Sequence, residues 1–146
     1  MSFLQSLNIS GSGLTAQRFR MDVISENIAN IDSTRTESGG PYRRKMVVLT
    51  PMGNNNFKNM LVKNLTEYEV SGGVEVSEIV EDQSDFKLLY NPEHPDADEN
   101  GYVSMPNVDS LKETVDMMEA YRAYQANITA LNTTKQMAIK ALEIGR

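Results

Sequence analysis

Residues 108–144 have the sequence VDSLKETVDMMEAYRAYQANITALNTTKQMAIKALEI, a stretch without proline or glycine. Its apolar residues recur at alternating three- and four-residue steps, which predicts one long amphipathic helix. At a rise of about 1.5 Å per residue the helix would be roughly 55 Å long, more than a domain of this size needs to cover its own core. The stripe therefore predicts a partner along most of its length. The predicted face carries Val108, Leu111, Val115, Met118, Ile128, Leu131, Ala138 and Leu142, with Arg122, Gln125 and Lys135 at its vacant steps.

The ends of this helix are predicted from local chemistry. Pro106 disfavours helix before it, and Asn107 can cap the free amides of the first turn. Asp109 follows where the positive end of the helix dipole favours a carboxylate, and Gly145 marks the far end. These signals assign residues 107–146 to a C-terminal helix.

The N-terminus holds a second periodic stretch, residues 2–31. Gly11 and Gly13 each weaken its first turns by about 1 kcal/mol relative to alanine. Residues 14–31 are therefore predicted to be helical, and residues 1–13 to be helical only when something packs on them. The shared apolar face carries Leu4, Leu7, Leu14, Met21, Ile24, Ile28 and Ile31.

The region between the helices is predicted to form short β-strands. Gly72-Gly73 is a strong turn signal, and residues 91–100 are predicted to form a rigid polar loop because they contain two prolines. The predicted strands are Tyr42–Thr50, one that starts at Leu61, Val74–Val80 and Phe86–Tyr90.

These elements predict an α+β fold with three parts: an N-terminal helical segment (1–36), a β-rich module (37–106) and a C-terminal helix (107–146). Because the first helix leads into the module and the last leads out of it, the two are predicted to pair antiparallel. The result would be a coiled-coil-like stalk with the module at its tip. From periodicity alone, a self-contained helical hairpin and an assembling subunit are equally well supported.

Charge and composition exclude several classes of partner. The net charge of −6 comes from residues 37–106, which carry six basic and twelve acidic side chains, and both ends are neutral. This distribution argues against electrostatic capture of nucleic acid or of an anionic membrane surface. The basic cluster Arg43-Arg44-Lys45 is predicted to pair with acidic residues of the same module or of a neighbour.

The sequence contains no cysteine, so disulfides, thiol nucleophiles and thiolate metal sites are ruled out. A secretory signal peptide and a membrane-spanning apolar run are also missing from the pattern. We therefore expect a protein that either stays in the cytoplasm or leaves by a pathway that reads no such signal, without direct insertion into a membrane.

A calcium loop is the sharpest alternative among metal sites. Asp96, Asp98, Asn100 and Gly101 match its opening, but Asn107 stands where a bidentate glutamate is needed. His94, the only histidine, has no second histidine or cysteine as a co-ligand. Hydrolase and phosphate-binding motifs do not occur. We expect a structural turn here, and no catalytic site, metal or cofactor.

One set of motifs points to a known family. Ser12–Gln17, Met21–Asn30 and Thr34 resemble the signature of the bacterial flagellar rod and hook axial proteins, above all in the Asn27-Ile-Ala-Asn30 sequence after a helix of this spacing. The resemblance covers nearly the whole chain and is weakest across residues 50–71. Further stretches narrow it to the proximal rod: Arg35-Thr36, Gly39–Arg44, Tyr90–Asp98, Gly101–Val108, Arg122–Asn127 and Lys140–Gly145.

The resemblance implies a structural subunit of the flagellar basal body. Such proteins build the hollow, torque-transmitting rod in the periplasm, with copies of themselves and other rod subunits as partners. They are exported through the flagellar type III apparatus without a cleaved signal peptide. A cytosolic coiled-coil adaptor, whose helices pair permanently in the monomer, is the alternative.

The assembly interface is predicted to lie on both terminal helices. Asn27 and Asn30 are predicted to hydrogen-bond the helix end and the loop after it, or a neighbouring chain. The predicted interface residues are Leu7, Leu14, Met21, Ile24, Asn27, Ile28, Asn30, Leu111, Val115, Met118, Ile128, Leu131 and Leu142.

Overall fold

A computed structural model describes residues 3–37, 39–52 and 72–144. Two long helices flank a middle region of two small antiparallel β-ribbons, so the predicted α+β fold is confirmed. The strand predicted to start at Leu61 lies outside the described residues. The elements are α1 (Phe3–Ala29), β1 (Lys45–Pro51), β2 (Val74–Glu81), β3 (Lys87–Tyr90), β4 (Tyr102–Met105) and α2 (Ser110–Ile144).

The helices α1 and α2 pack against each other in opposite directions. Asn27, near the end of α1, hydrogen-bonds Glu113 at the start of α2. Gly13, far upstream, lies against Asn127, and a Cβ added to the glycine would come within 3.1 Å of the Asn127 amide. The antiparallel pairing predicted from the sequence is thus present. The close approach at Gly13 also explains why glycine is tolerated inside this helix.

The face of α2 that meets α1 differs from the predicted stripe. Glu113 and Ala120 are the buried residues of α2 among those described. Leu111, Val115 and Met118 lie about half a turn away around the helix and are 76%, 48% and 51% exposed. Since the helices meet here through small side chains such as Ala120, these three bulky residues are turned outward. Ile128 and Leu131, further along the same predicted stripe, are half-buried.

The ribbon β1–β2 lies along the side of α1. Its register runs from Lys45 opposite Glu81 to Pro51 opposite Val74, with one irregularity after Val48. The Lys45 end is bonded to Asn27 of α1. At the other end, the Val74 amide donates to the Ser12 hydroxyl at 3.2 Å. The prediction that the whole β module sits at the tip of the stalk is therefore wrong for this ribbon, which returns along the helix it follows.

The second ribbon, β3–β4, lies at the start of α2. It pairs Lys87 with Met105 and Tyr90 with Tyr102. The Lys87 ammonium donates to the Val108 carbonyl at 2.7 Å, and Val103 and Val108 are both buried. One face of this ribbon is thus anchored where α2 begins.

The helix α2 is capped two residues later than predicted. Asp109 accepts hydrogen bonds from the amides of Leu111 and Lys112, so Asp109 rather than Asn107 is the capping residue. The side-chain oxygen (Oδ1) of Asn107 instead accepts a hydrogen bond from the Arg44 backbone amide at 2.8 Å. A long-range partner therefore outcompetes the local cap.

The polar loop between β3 and β4 is built from tight turns. The Asp98 carboxylate accepts the amides of Asn100 and Tyr102, and Gly101 has a φ of 80°, a conformation that glycine adopts freely. The His94 ring accepts the Asp96 amide. Within the described ranges, no three acidic or histidine side chains are placed to hold a metal ion. None of the helices in those ranges is long and apolar enough to cross a bilayer.

Candidate functional site

Three elements converge on a buried polar cluster at the end of the helix pair. We call it the polar joint and define it as Asn27, Tyr42, Arg44, Glu113 and Asp116. Asn27 comes from α1, Tyr42 and Arg44 directly precede β1, and the two carboxylates occupy neighbouring turns of α2. The joint therefore connects both helices to the first β-ribbon.

Asn27 is the centre of the joint, and its side chain is 1% exposed. Its amide nitrogen donates to the Lys45 carbonyl at 2.9 Å and to the Glu113 carboxylate at 3.0 Å. Its amide oxygen accepts from the Tyr42 hydroxyl and from the Lys45 amide, each at 2.9 Å. All four hydrogen-bonding positions of the amide are thus occupied. Because both backbone groups of Lys45 are held, Asn27 fixes β1 to α1 as a neighbouring strand would.

Arg44 neutralises the acidic part of the joint. Its guanidinium donates to Glu113 through Nε, and to Asp116 at 3.0 Å. A third carboxylate, Asp82 at the end of β2, lies 3.9 Å away. The Glu113 side chain is 0% exposed and that of Arg44 is 10% exposed. A charge buried to this extent is tolerated only when it is paired and hydrogen-bonded, as it is here.

Two pKa values are displaced around the joint. Burial, together with the negative charges of Glu26, Glu113 and Glu81, raises the pKa of Tyr42 to about 12. The amide and the hydroxyl of Ser84 hydrogen-bond Asp82 and lower the pKa of that carboxyl, with a smaller contribution from Arg44. These environments thus favour a neutral phenol at Tyr42 and an ionised carboxylate at Asp82.

Replacing Tyr42 with phenylalanine is expected to flatten the dependence of stability on pH in the alkaline range. Below about pH 10 the phenol is protonated in both states, so its contribution is fully present. As the pH rises towards the folded-state pKa of about 12, the unfolded phenol ionises first and this stability is lost. Urea midpoints at about pH 9 and 11 should fall more for the parent protein than for Tyr42→Phe. Equal losses would contradict the assignment, because the other tyrosines are the same in both proteins.

The basic cluster pairs with acidic residues, but mostly with those on the helices. Lys45 contacts Glu26 of α1 at 2.6 Å, and the main partners of Arg44 are on α2. Arg43 donates to the Asp82 carbonyl, and its guanidinium lies 4.4 Å from the centre of the Phe86 ring. Arg44 and Lys45 thus pair with acidic residues, but their main partners lie on the helices and not in the module as predicted, with Asp82 as the one carboxylate of the module near Arg44. Arg43 binds a carbonyl and a ring.

The predicted interface residues differ in burial and fall into three groups, which are buried, half-buried and exposed. One of them, Asn30, donates to the Glu26 carbonyl and accepts from the Ser33 hydroxyl, which ties the end of α1 to the following loop. Contacts with neighbouring chains remain a prediction for every member of the set. Ile24 and Asn27 are buried; Leu7, Leu14, Met21, Ile28, Asn30, Ile128 and Leu131 are half-buried; Leu111, Val115, Met118 and Leu142 are exposed.

Sequence reasoning missed most of the joint. Glu113 and Asp116 do not belong to the apolar stripe of α2, so helical periodicity does not distinguish them from other charged residues of that helix. The position of Glu113 could have indicated its role, because Glu113 lies on the opposite side of α2 from Leu111 and Val115. Arg44 belonged to a cluster already predicted to need acidic partners, but 69 residues separate it from Glu113.

Two apolar faces are exposed next to the joint. The helix stripe consists of Leu111, Val115 and Met118 on α2. The ribbon face consists of Leu88, Tyr90 and Tyr102, which the register of β3–β4 places on one side; these are 69%, 64% and 44% exposed. The rings of Tyr90 and Tyr102 meet edge to face, with centroids 5.3 Å apart. Exposed apolar patches of this kind mark interaction sites.

Comparison with known proteins connects this arrangement to a family. Residues 7–35 match a family described as flagella basal body rod protein, and residues 99–144 match the C-terminal region of the flagellar basal body rod FlgEFG proteins. The flagellar basal-body rod protein FlgC of Bacillus subtilis is 52% identical, with 100% of both chains covered. The FlgC proteins of Borreliella burgdorferi and Escherichia coli O6:H1 are 45% and 42% identical, over 99% and 100% of this chain and 98% and 100% of their own lengths.

The chain belongs to the FlgC family of flagellar basal-body rod proteins. FlgC proteins are structural subunits of the basal body, and the family is not enzymatic. The cytosolic adaptor is therefore not favoured. The matched ranges include Asn27 and Glu113, so both helical contributions to the polar joint lie within the rod-protein regions.

Proposed function

We propose that this FlgC-family subunit assembles through α1 and α2 with neighbouring subunits into a hollow shaft. The shaft transmits torque and leaves a channel for later subunits. The observation that carries the proposal is that the helix pair leaves large apolar side chains uncovered, above all Leu111 and Leu142, which are 76% and 77% exposed. Each such side chain stabilises an assembly only when a neighbour covers it, by about 25 cal/mol per Å².

The polar joint suits transmission of force. A load on either helix reaches β1 through Asn27 and Arg44, whose hydrogen bonds join the three elements. We assign assembly to residues 1–36 and 107–146, and an outward-facing role to residues 37–106. Apart from Ile24 and Asn27, which are buried within the subunit, the interface residues predicted from the sequence stand as the proposed contacts with neighbouring rod subunits and with other copies of this chain.

The resemblance to axial proteins also supports a pathway by which the chain reaches the rod. In this proposal the chain is exported through the flagellar type III apparatus without a cleaved signal peptide and joins the periplasmic part of the rod. It needs neither nucleic acid nor direct insertion into a membrane. Detection of the intact N-terminus in isolated basal bodies by mass spectrometry tests the absence of a cleaved signal peptide.

Replacing Leu142 with aspartate is expected to abolish swimming while leaving the monomer folded. The side chain is exposed within the subunit, so the free energy of unfolding should change by less than about 0.5 kcal/mol. In the rod, however, a carboxylate would replace a covered apolar contact. Swimming in soft agar and the amount of the chain in isolated basal bodies are measured together.

Asn132→Asp is the matched control, because Asn132 is an exposed polar residue on the same helix. It should swim normally. Normal swimming and normal incorporation of Leu142→Asp would overturn the proposed use of α2 in assembly.

A further inference from the structure

The ribbon face and the helix stripe are both directed away from the subunit's own core. Val103 lies on the opposite side of β3–β4 from the ribbon face and is 1% exposed, so the chain covers that side at Val103, whereas its partner Leu89 is 52% exposed. The stripe likewise lies half a turn from Glu113 and Ala120, which face α1. A two-stranded ribbon is marginal in water unless a further strand or a helix packs on it. Both faces are therefore suited to a partner from outside the chain.

The borders of these two faces carry opposite charges. Asp85 precedes β3 by two residues, Glu93 and Glu99 lie in the loop between β3 and β4, and all three are exposed. On α2, Arg122 is exposed and continues the line of the helix stripe one turn beyond Met118. Among the described residues, none of these four charged groups lies within 4.0 Å of an opposite charge.

The other charged residues beside the two faces do not reverse this difference in charge. Lys112 and Glu119 lie seven residues apart on one side of the stripe and offset each other, so Arg122 determines its sign. Lys87, the lysine of β3, is already bonded to the Val108 carbonyl. The ribbon face is thus acidic at its border and the stripe basic.

We propose that in the assembled rod the ribbon face of one copy docks on the helix stripe of the next copy. The inference rests on the proposed function, since it names the partner for the first turns of α2. The acidic border of one face would meet Arg122 of the other, whereas two ribbon faces would repel each other. The lengths also match, because four strand residues span about 13 Å and the stripe from Leu111 to Met118 about 10 Å. Exposed tyrosines such as Tyr90 are the side chains that anchor interfaces most often.

This contact joins two different surfaces of the same chain. Such a heterologous contact is repeated from copy to copy and gives a ring or a helical row rather than an isolated pair. It also differs from packing between terminal helices, because one of its two surfaces belongs to a β-ribbon. The β region of each subunit would therefore hold the next copy in place from outside the helical layer.

Cysteine cross-linking tests the contact. The chain has no cysteine, so Ser104→Cys on the ribbon face and Val115→Cys on the stripe would supply its only thiols. Basal bodies isolated from cells producing the double variant are treated with a mild oxidant and separated under non-reducing conditions, and the chain is detected by immunoblot. The expected result is a ladder of dimers and higher multiples in the double variant, and only monomer in each single variant.

The alternative results are distinct. Dimers from Ser104→Cys alone would mean that two ribbon faces meet, and would overturn the proposal. Monomer only in the double variant, in cells that swim and contain rods, would also overturn it and leave the proposed function intact. An adduct between Val115→Cys and a different rod protein would assign the stripe to that protein. Absence of the chain from basal bodies of the parent strain would instead refute the proposed function.

A charge reversal keeps the inference testable if the cysteine variant fails to assemble. Arg122→Glu should lower incorporation into basal bodies about tenfold, the effect of losing one charge-assisted contact. Adding Glu93→Lys and Glu99→Lys to the same chain should restore most of it. Normal incorporation of Arg122→Glu, or no restoration by the two lysines, would overturn the contact.

Discussion

Glu113→Ala should lower the free energy of unfolding by about 3 kcal/mol, the lower end of the usual cost of breaking a buried ion pair, because Arg44 keeps Asp116 as a partner. The substitution removes the acceptor for the Arg44 Nε and for one of the Asn27 amide hydrogens. It also leaves a cavity where a fully buried side chain stood. Since the free energy of unfolding of a small domain is only about 5–15 kcal/mol, this substitution would remove a large part of it. Urea titration followed by circular dichroism measures the loss.

Two further variants separate the charge from the packing. The double variant Arg44→Met with Glu113→Leu removes both charges and fills the space, so it should regain most of the lost stability. Glu119→Ala, at an exposed position of the same helix, should change the free energy of unfolding by less than about 0.5 kcal/mol. A parent-like urea midpoint for Glu113→Ala would contradict a joint that holds the three elements together.

Amide hydrogen exchange of the monomer should show a steep gradient along α2. Residues 113–120 include its buried positions and pack beside the polar joint, so their amides should exchange only on global unfolding. Beyond Ala120 no described residue of α2 is buried, and residues 137–144 should exchange at close to the unprotected rate. In α1 the buried positions extend from Ser10 to Asn27, so its protection should reach further from the joint.

The gradient in amide exchange distinguishes a self-contained helical hairpin from an assembling subunit, the two interpretations that helical periodicity left open. A frayed C-terminal half of α2 means that this segment gains order from neighbours on assembly. In basal bodies the same amides should then become protected. Uniform protection through residue 144 in the monomer would instead mean that the helix pair is complete by itself, and the use of this segment in assembly would lose its support.

The positions of the helices and strands could be predicted from the sequence better than the way they pack against each other. Both helices and three strands lie within a few residues of their predicted positions because periodicity and turn residues act locally. For the first turns of α2, the face that meets α1 was predicted wrongly. Periodicity shows that Leu111 and Val115 share a face, but only tertiary packing decides whether this face or the one with Ala120 meets the partner helix.

The candidate site was predictable only in part. Asn27 was singled out through the family motif, and Arg44 through a cluster that needed acidic partners. Their common partner, Glu113, was not, because it is 86 residues from Asn27 and no local pattern links them. The same reason explains the error at Asn107, where the amide of Arg44 competes successfully with a cap that the local sequence allowed. Long-range polar contacts are decided by the assembled fold.

The antiparallel helix pair brings the first residues of α1 and the last residues of α2 to the same end of the molecule, opposite the polar joint. Donor and acceptor dyes attached at residues 3 and 144 would therefore be near each other although almost the whole sequence separates them. Their energy transfer would report separation of the helix ends without requiring the joint to break. The energy transfer between the two dyes can thus be used to compare the spacing of the helix ends in the monomer and in the rod.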